Sequence, residues 1–148
     1  MDALALTELS DKTETNPYDL SAPWRKMVAI ASIISMDTDI VVFDEPTTGQ
    51  DASNVARIAY VITELHRRGK TVITITHDID FCAENFERVI AMSQGEVLLD
   101  GAANEVLGQE KTLATTYVEP PQLTRLGKRL GFGRTVRKQE EFLAELRS

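Results

Sequence analysis

The chain has 148 residues, 43% of them apolar, enough for one domain with a real core. Its net charge of −7 is uneven: residues 1–119 carry 9 Lys/Arg against 20 Asp/Glu, and residues 120–148 carry 7 against 3. An acidic body argues against general nucleic-acid binding. A single cysteine, Cys82, excludes an internal disulfide framework, and no apolar run approaches the ~18 residues of a membrane span. With no signal-peptide pattern at the N-terminus, the expectation is a soluble, cytoplasmic chain.

In chain order, "DALALTEL" predicts one or two helical turns, and the polar "SDKTETNPYD" reads as a loop around its Asn-Pro. "SAPWRKMVAIASIIS" opens on a serine cap with a proline in the first turn, a helix start, and Val28, Ile30, Ala31, Ile33 and Ile34 predict that it is largely buried. "DIVVF" is β-branched without alternation, which predicts a parallel strand covered on both faces. A helix follows over "SNVARIAYVITELHRRG", with apolar residues at 55, 58, 61, 62 and 65 and a stop at Gly69. "TVITIT" is a second strand that ends at His77, and "DIDFCAENF" is a short helix. "RVIAM", "SQGE" and "VLLD" form a hairpin signal around Gly95, and "NEVLG" is a helical turn. The rest is expected to be looser, ending in the charged "RKQEEFLAELRS". Strand, helix, strand, helix and hairpin together predict an α/β layer fold with parallel strands.

The chemistry concentrates where the first strand runs into Asp44 and Glu45 and then into Pro-Thr-Thr-Gly. Many strands end in acids only because that edge is solvated. Here, however, Gly49-Gln50-Asp51 follows the acids and the second strand ends in Thr76-His77-Asp78. In a parallel sheet such ends share the edge where ligands bind. One carboxylate for magnesium, one to polarise water and a histidine for a γ-phosphate are what phosphoanhydride hydrolysis requires.

"IVVFDEPTTGQD" followed by "TITHD" resembles the second half of the nucleotide-binding domain of ABC transporters, with Walker B and D-loop in the first segment and the switch-histidine loop in the second. "NPYDLSAPWRKMVAIAS" lies where the family signature stands, and "RVIAMSQGEVLLDGAANEVL" is similar to the closing hairpin and helix. "EPPQLTRLGKRL" resembles the C-terminal extension of the energy-coupling-factor (cobalt and vitamin importer) branch. The resemblance implies part of a P-loop ATPase layer fold with a C-terminal hairpin and a short helical tail. It implies Asp44 on the magnesium side, Glu45 as general base, His77 as the γ-phosphate switch, and Asp51 as the D-loop acid facing an opposing subunit. Ser21 would be the signature serine that reaches a nucleotide held by the partner. ATP and Mg2+ are the implied cofactors. The implied partners are a second ATPase subunit, in a homo- or heterodimer, and membrane-embedded transporter subunits, with the chain peripheral to the inner face of the membrane.

The sequence departs from the family pattern in four ways, the slightest being Gln50 in place of the usual D-loop leucine. It holds no glycine-rich phosphate loop: "ELHRRGKT" ends like one, but Glu64 stands where glycine is needed and a strand follows Lys70 instead of a helix. It holds no glutamine loop. In the signature, Ala22-Pro23-Trp24 replaces Gly-Gly-Gln, and proline offers no N–H to a phosphate. The expectation is therefore the C-terminal part of an ATPase domain over residues 1–112 and an extension over 113–148. Two functions remain open: the ATPase subunit of an importer, incomplete here, or a non-catalytic module that pairs with a complete ATPase. His66 reads as a residue of a solvated helix face and Cys82 as a small core residue.

Overall fold

The structure, a computed structural model, describes residues 2–116 and 118–147. One compact unit ends at Thr76 and a second begins at His77.

The first unit opens with α1 (Ala3–Leu6), whose free N-terminal N–H groups are partly satisfied by the Asp2 carboxylate, 3.0 Å from the Ala5 nitrogen. The polar stretch that follows holds two 3-10 turns, Ser10–Lys12 and Pro17–Asp19. α2 (Ala22–Ile34) starts at Ser21, and proline at its second position is preorganised for the first turn. Ser21 sits at the cap position, yet its hydroxyl makes no capping bond. The buried positions Met27, Ile30, Ala31 and Ile34 fall at helical spacing on one face. The helix is amphipathic and not largely buried, because Ile33 is 48% exposed and Val28 half-buried.

β1 (Ile40–Asp44), α3 (Ala52–Arg67) and β2 (Thr71–Ile75) form a βαβ unit whose two strands pair in parallel, Ile40 opposite Thr71 through Asp44 opposite Ile75. α3 buries Ile58, Val61, Ile62 and Leu65, and Gly69 with φ +82° lets the chain leave it. Val41 and Phe43 are buried, whereas Ile40 (59%) and Val42 (55%) are exposed, as are Ile73 and Ile75 on β2. The expectation that β1 is covered on both faces is thus corrected. Successive side chains point to opposite faces, and only the Val41/Phe43 face is covered.

The second unit begins with α4 (Ile79–Asn85), then the antiparallel hairpin of β3 (Arg88–Ser93) and β4 (Glu96–Ala102). Its turn uses Gln94 (φ +51°) and Gly95 (φ +83°), the two left-handed residues that a type I′ hairpin requires. α5 (Ala103–Leu107) packs on the hairpin, with Ala83, Ala103 and Leu107 buried against Ile79 and Val89. The remainder is better ordered than the loose tail expected from sequence: α6 (Glu110–Ala114), α7 (Gln122–Arg129) and α8 (Gln139–Leu146). Val136 and Phe142 are buried, and the Phe142 ring lies 5.2 Å from that of Phe132. Arg137, 7% exposed, donates to the carbonyls of Ala83 (3.0 Å) and Phe86 (2.9 Å) and to Glu87 (3.0 Å). This ties the segment before α8 to the end of α4.

Candidate functional site

β1 delivers two adjacent carboxylates by different means. Asp44 is the last strand residue and is exposed. Glu45 leaves the strand in the left-handed region, with φ +45°. For a residue with a Cβ that conformation costs on the order of 1 kcal/mol, so the surroundings must hold it. Its N–H donates to the Ile75 carbonyl at 2.8 Å, which extends the β1–β2 ladder by one residue. Its Oε2 accepts from the Thr48 and Thr76 hydroxyls, each at 3.2 Å. Its carbonyl accepts from Lys26 Nζ, also at 3.2 Å, across from α2. Burial pushes the Lys26 ammonium below the usual lysine pKa, and the charge of Glu45 opposes that shift.

The Pro46–Gly49 turn then leads into α3, with Gly49 at φ +71° and the Gln50 N–H bonded to the Thr47 carbonyl at 3.0 Å. Asp51 is exposed and caps α3: its Oδ1 accepts from the Asn54 N–H at 2.8 Å. The negative charge is favourable at that helix start. Asn54 is fully buried, and its side-chain amide donates to Gln50 Oε1. Ser21 is exposed at the start of α2. Three residues on, the Trp24 ring carries Lys12 at 4.8 Å and Arg57 at 4.6 Å, and Arg57 also donates to Glu8 at 2.8 Å. His77 is exposed at the start of the second unit, and the neighbouring Asp78 caps α4 through the Phe81 N–H at 3.0 Å.

Within the first unit, then, the structure brings together Asp44, Glu45, Thr48, Thr76 and Lys26. From sequence, Thr48 and Thr76 carry no role although both stand in its motifs, and Lys26 carries none either. The threonines flank residues that were singled out, so adjacency was a usable signal. Lys26 is separated from Glu45 by 19 residues, and nothing in the sequence marks the pair. Lys70 of "GKT" lies directly before β2 and is held by the Asp37 carbonyl and carboxylate, each at 3.0 Å. His66 is exposed and Cys82 half-buried on α4.

Among the described residues no group of three or more His, Cys, Asp or Glu side chains could cage a metal. Asp44 instead offers hard oxygen donors at an open strand end. That suits Mg2+, which takes one or two carboxylates and completes its octahedron with water and phosphate oxygens. Among the described residues no helix is long and apolar enough to cross a membrane.

No protein-family model matches the chain. An ABC transporter ATP-binding protein of Methanosarcina mazei is 47% identical over 124 residues, which cover 84% of this chain and 21% of that protein. The energy-coupling factor transporter ATP-binding protein EcfA2 of Mycoplasmopsis synoviae is 38% identical over 115 residues, 78% of this chain and 37% of its own length. Among solved structures, cbiO1 of Clostridium perfringens, part of the ABC transporter complex cbiONQ, matches with a TM-score of 0.68 and 30% identity. That match covers 86% of this chain and 50% of cbiO1. The chain thus spans half or less of each of these proteins.

Proposed function

Taking as premise that the chain is homologous to the C-terminal portion of ABC-transporter ATP-binding proteins, energy-coupling-factor types among them, we propose that it contributes the hydrolytic carboxylates of such a subunit. The subunit would couple ATP hydrolysis to import. The observation that carries this reading is the hold on Glu45: a left-handed backbone at a strand end, with one carboxylate oxygen taken by the Thr48 and Thr76 hydroxyls.

In this reading Glu45 is the general base. A base must present a fixed carboxylate within hydrogen-bond reach of its water, and two hydroxyls on Oε2 orient the group without removing its charge. Asp44, exposed beside it, would be the magnesium ligand. Bound Mg2+ would neutralise charge on the phosphates. His77 would contact the γ-phosphate, Ser21 a nucleotide held by a second ATPase subunit, and Asp51 that same subunit. Capping of α3 by Asp51 leaves its charge in place for such a contact. Residues 113–148 would be a C-terminal extension, and the assembled protein would lie on the cytoplasmic face of the membrane against embedded transporter subunits.

The test is a chimaera that places this sequence behind the preceding portion of the longer EcfA2 relative. Glu45→Gln should abolish ATP turnover and keep ATP binding, because the amide preserves shape and removes the base. His77→Ala should lower turnover ~10²-fold or more, the size of a lost transition-state contact. Unchanged turnover in Glu45→Gln would reject the general-base role.

A further inference from the structure

Every bond described above that holds the Glu45 backbone or carboxylate comes from β2 or from its own turn, with one exception. The Ile75 carbonyl, the Thr76 hydroxyl and the Thr48 hydroxyl are local to the strand ends. Lys26 comes from a different element, the second turn of α2, and reaches the Glu45 carbonyl at 3.2 Å in a partly buried setting. That carbonyl belongs to the residue with φ +45°. The next peptide N–H able to bond it, from Thr48, is at 3.4 Å, a long contact. A cation is the stronger donor to a carbonyl, and burial discourages exchange of that bond for one to water.

We propose that Lys26 is a positioning residue for Glu45. Its ammonium fixes the left-handed peptide that aims the carboxylate, and so makes the geometry of the base depend on where α2 sits. The role of the aimed carboxylate rests on the reading of Glu45 as base; the hold exerted by Lys26 does not. Because Met27, Ile30, Ala31 and Ile34 anchor the rest of α2 in the core, a shift at its N-terminal turns would be felt at Glu45 through the Lys26 bond. The residues around Ser21 and Trp24 would thereby communicate with the strand end without touching it.

The test uses the full chain and nuclear magnetic resonance. Lys26→Met removes the donor and keeps the stem. It should move the Glu45 13C′, 13Cα and 13Cβ resonances away from their left-handed positions and speed exchange of the Glu45 amide at least ~10-fold, while Ile30 and Ile58 signals stay in place. Lys26→Arg, which restores a cationic donor, should return the Glu45 resonances. Unmoved Glu45 signals in a folded Lys26→Met chain would overturn the proposal. If Lys26→Met does not fold, Lys26→Gln is read in the same way. Unfolding of both would also overturn it, since Lys26 would then serve the core and not Glu45. None of these readouts involves ATP. A failed base assignment in Glu45→Gln would therefore leave them standing, and a failed Lys26 result would leave the base assignment standing.

Discussion

The Arg57 guanidinium lies 4.6 Å from the centre of the Trp24 ring and joins α3 to the first turn of α2. Lys12 approaches the same ring at 4.8 Å, and Glu8 accepts from Arg57 at 2.8 Å. Each cation on a partly exposed ring is worth about 0.5–1 kcal/mol, and a surface ion pair about 0–1 kcal/mol. Arg57→Ala should therefore destabilise the first unit by ~1–2 kcal/mol. Urea unfolding of Arg57→Ala, Trp24→Leu and the double variant should give a coupling energy above ~0.5 kcal/mol; strict additivity would remove the cation–ring contact as a cause.

Glu64 on α3 accepts from both Arg67 and Arg68, each at 2.8 Å, and these bonds, Arg67 first, lower its pKa from 4.5 to about 2. A depressed folded pKa means that the contribution is fully present above the unfolded value. It is lost as pH falls from about 4.5 to about 2. A carboxyl 13C titration should place the Glu64 midpoint well below ordinary glutamates, and added salt should raise it. Glu64→Gln should flatten the fall in stability over that acid window.

Gly127 sits inside α7 where a Cβ would meet Val136 Cγ2 at 2.6 Å and Phe132 Cδ2 at 2.9 Å. Val136 is fully buried, so the clash cannot be relieved into solvent. Gly127→Ala should cost about 1–3 kcal/mol, as overpacking does, despite alanine's better helix propensity. Thermal melts should show the loss, and Val136→Ala should recover part of it.

Legibility of the fold followed the reach of each interaction. The hairpin was readable because Gln94-Gly95 supplies its own left-handed backbone, and α3 because Ile58, Val61, Ile62 and Leu65 repeat at helical period. The tail was not. Gly127, Gly131 and Gly133 break the pattern of "RLGKRLGFG", and only contacts such as Arg137 with Ala83 and Phe86 show why that segment is ordered. β1 misled for a different reason: "IVVF" carries the composition of a strand buried on both sides, but composition does not say what lies against it. The carboxylates themselves were legible, while the Lys26 bond across 19 residues was not.

The isolated 148-residue polypeptide should bind Mg-ATP weakly. The grip on a triphosphate comes from loop N–H groups, a lysine and a helix start, whereas Asp44 and Glu45 are anionic. A dissociation constant at or above ~1 mM is expected, equivalent to about −4 kcal/mol. Calorimetry decides this, and micromolar affinity lost in Lys70→Ala would instead assign phosphate binding to the Gly69-Lys70-Thr71 corner.

Ile40, Val42, Ile73 and Ile75 keep about half of their surface in water after folding, so that part of their hydration is common to the folded and unfolded states. Heat capacity of unfolding tracks apolar surface newly hydrated, about 12–15 cal/mol/K per residue in ordinary domains. For this chain the calorimetric step should fall below that range. The stability curve should be correspondingly flatter, with less loss of stability on cooling than its length alone would suggest.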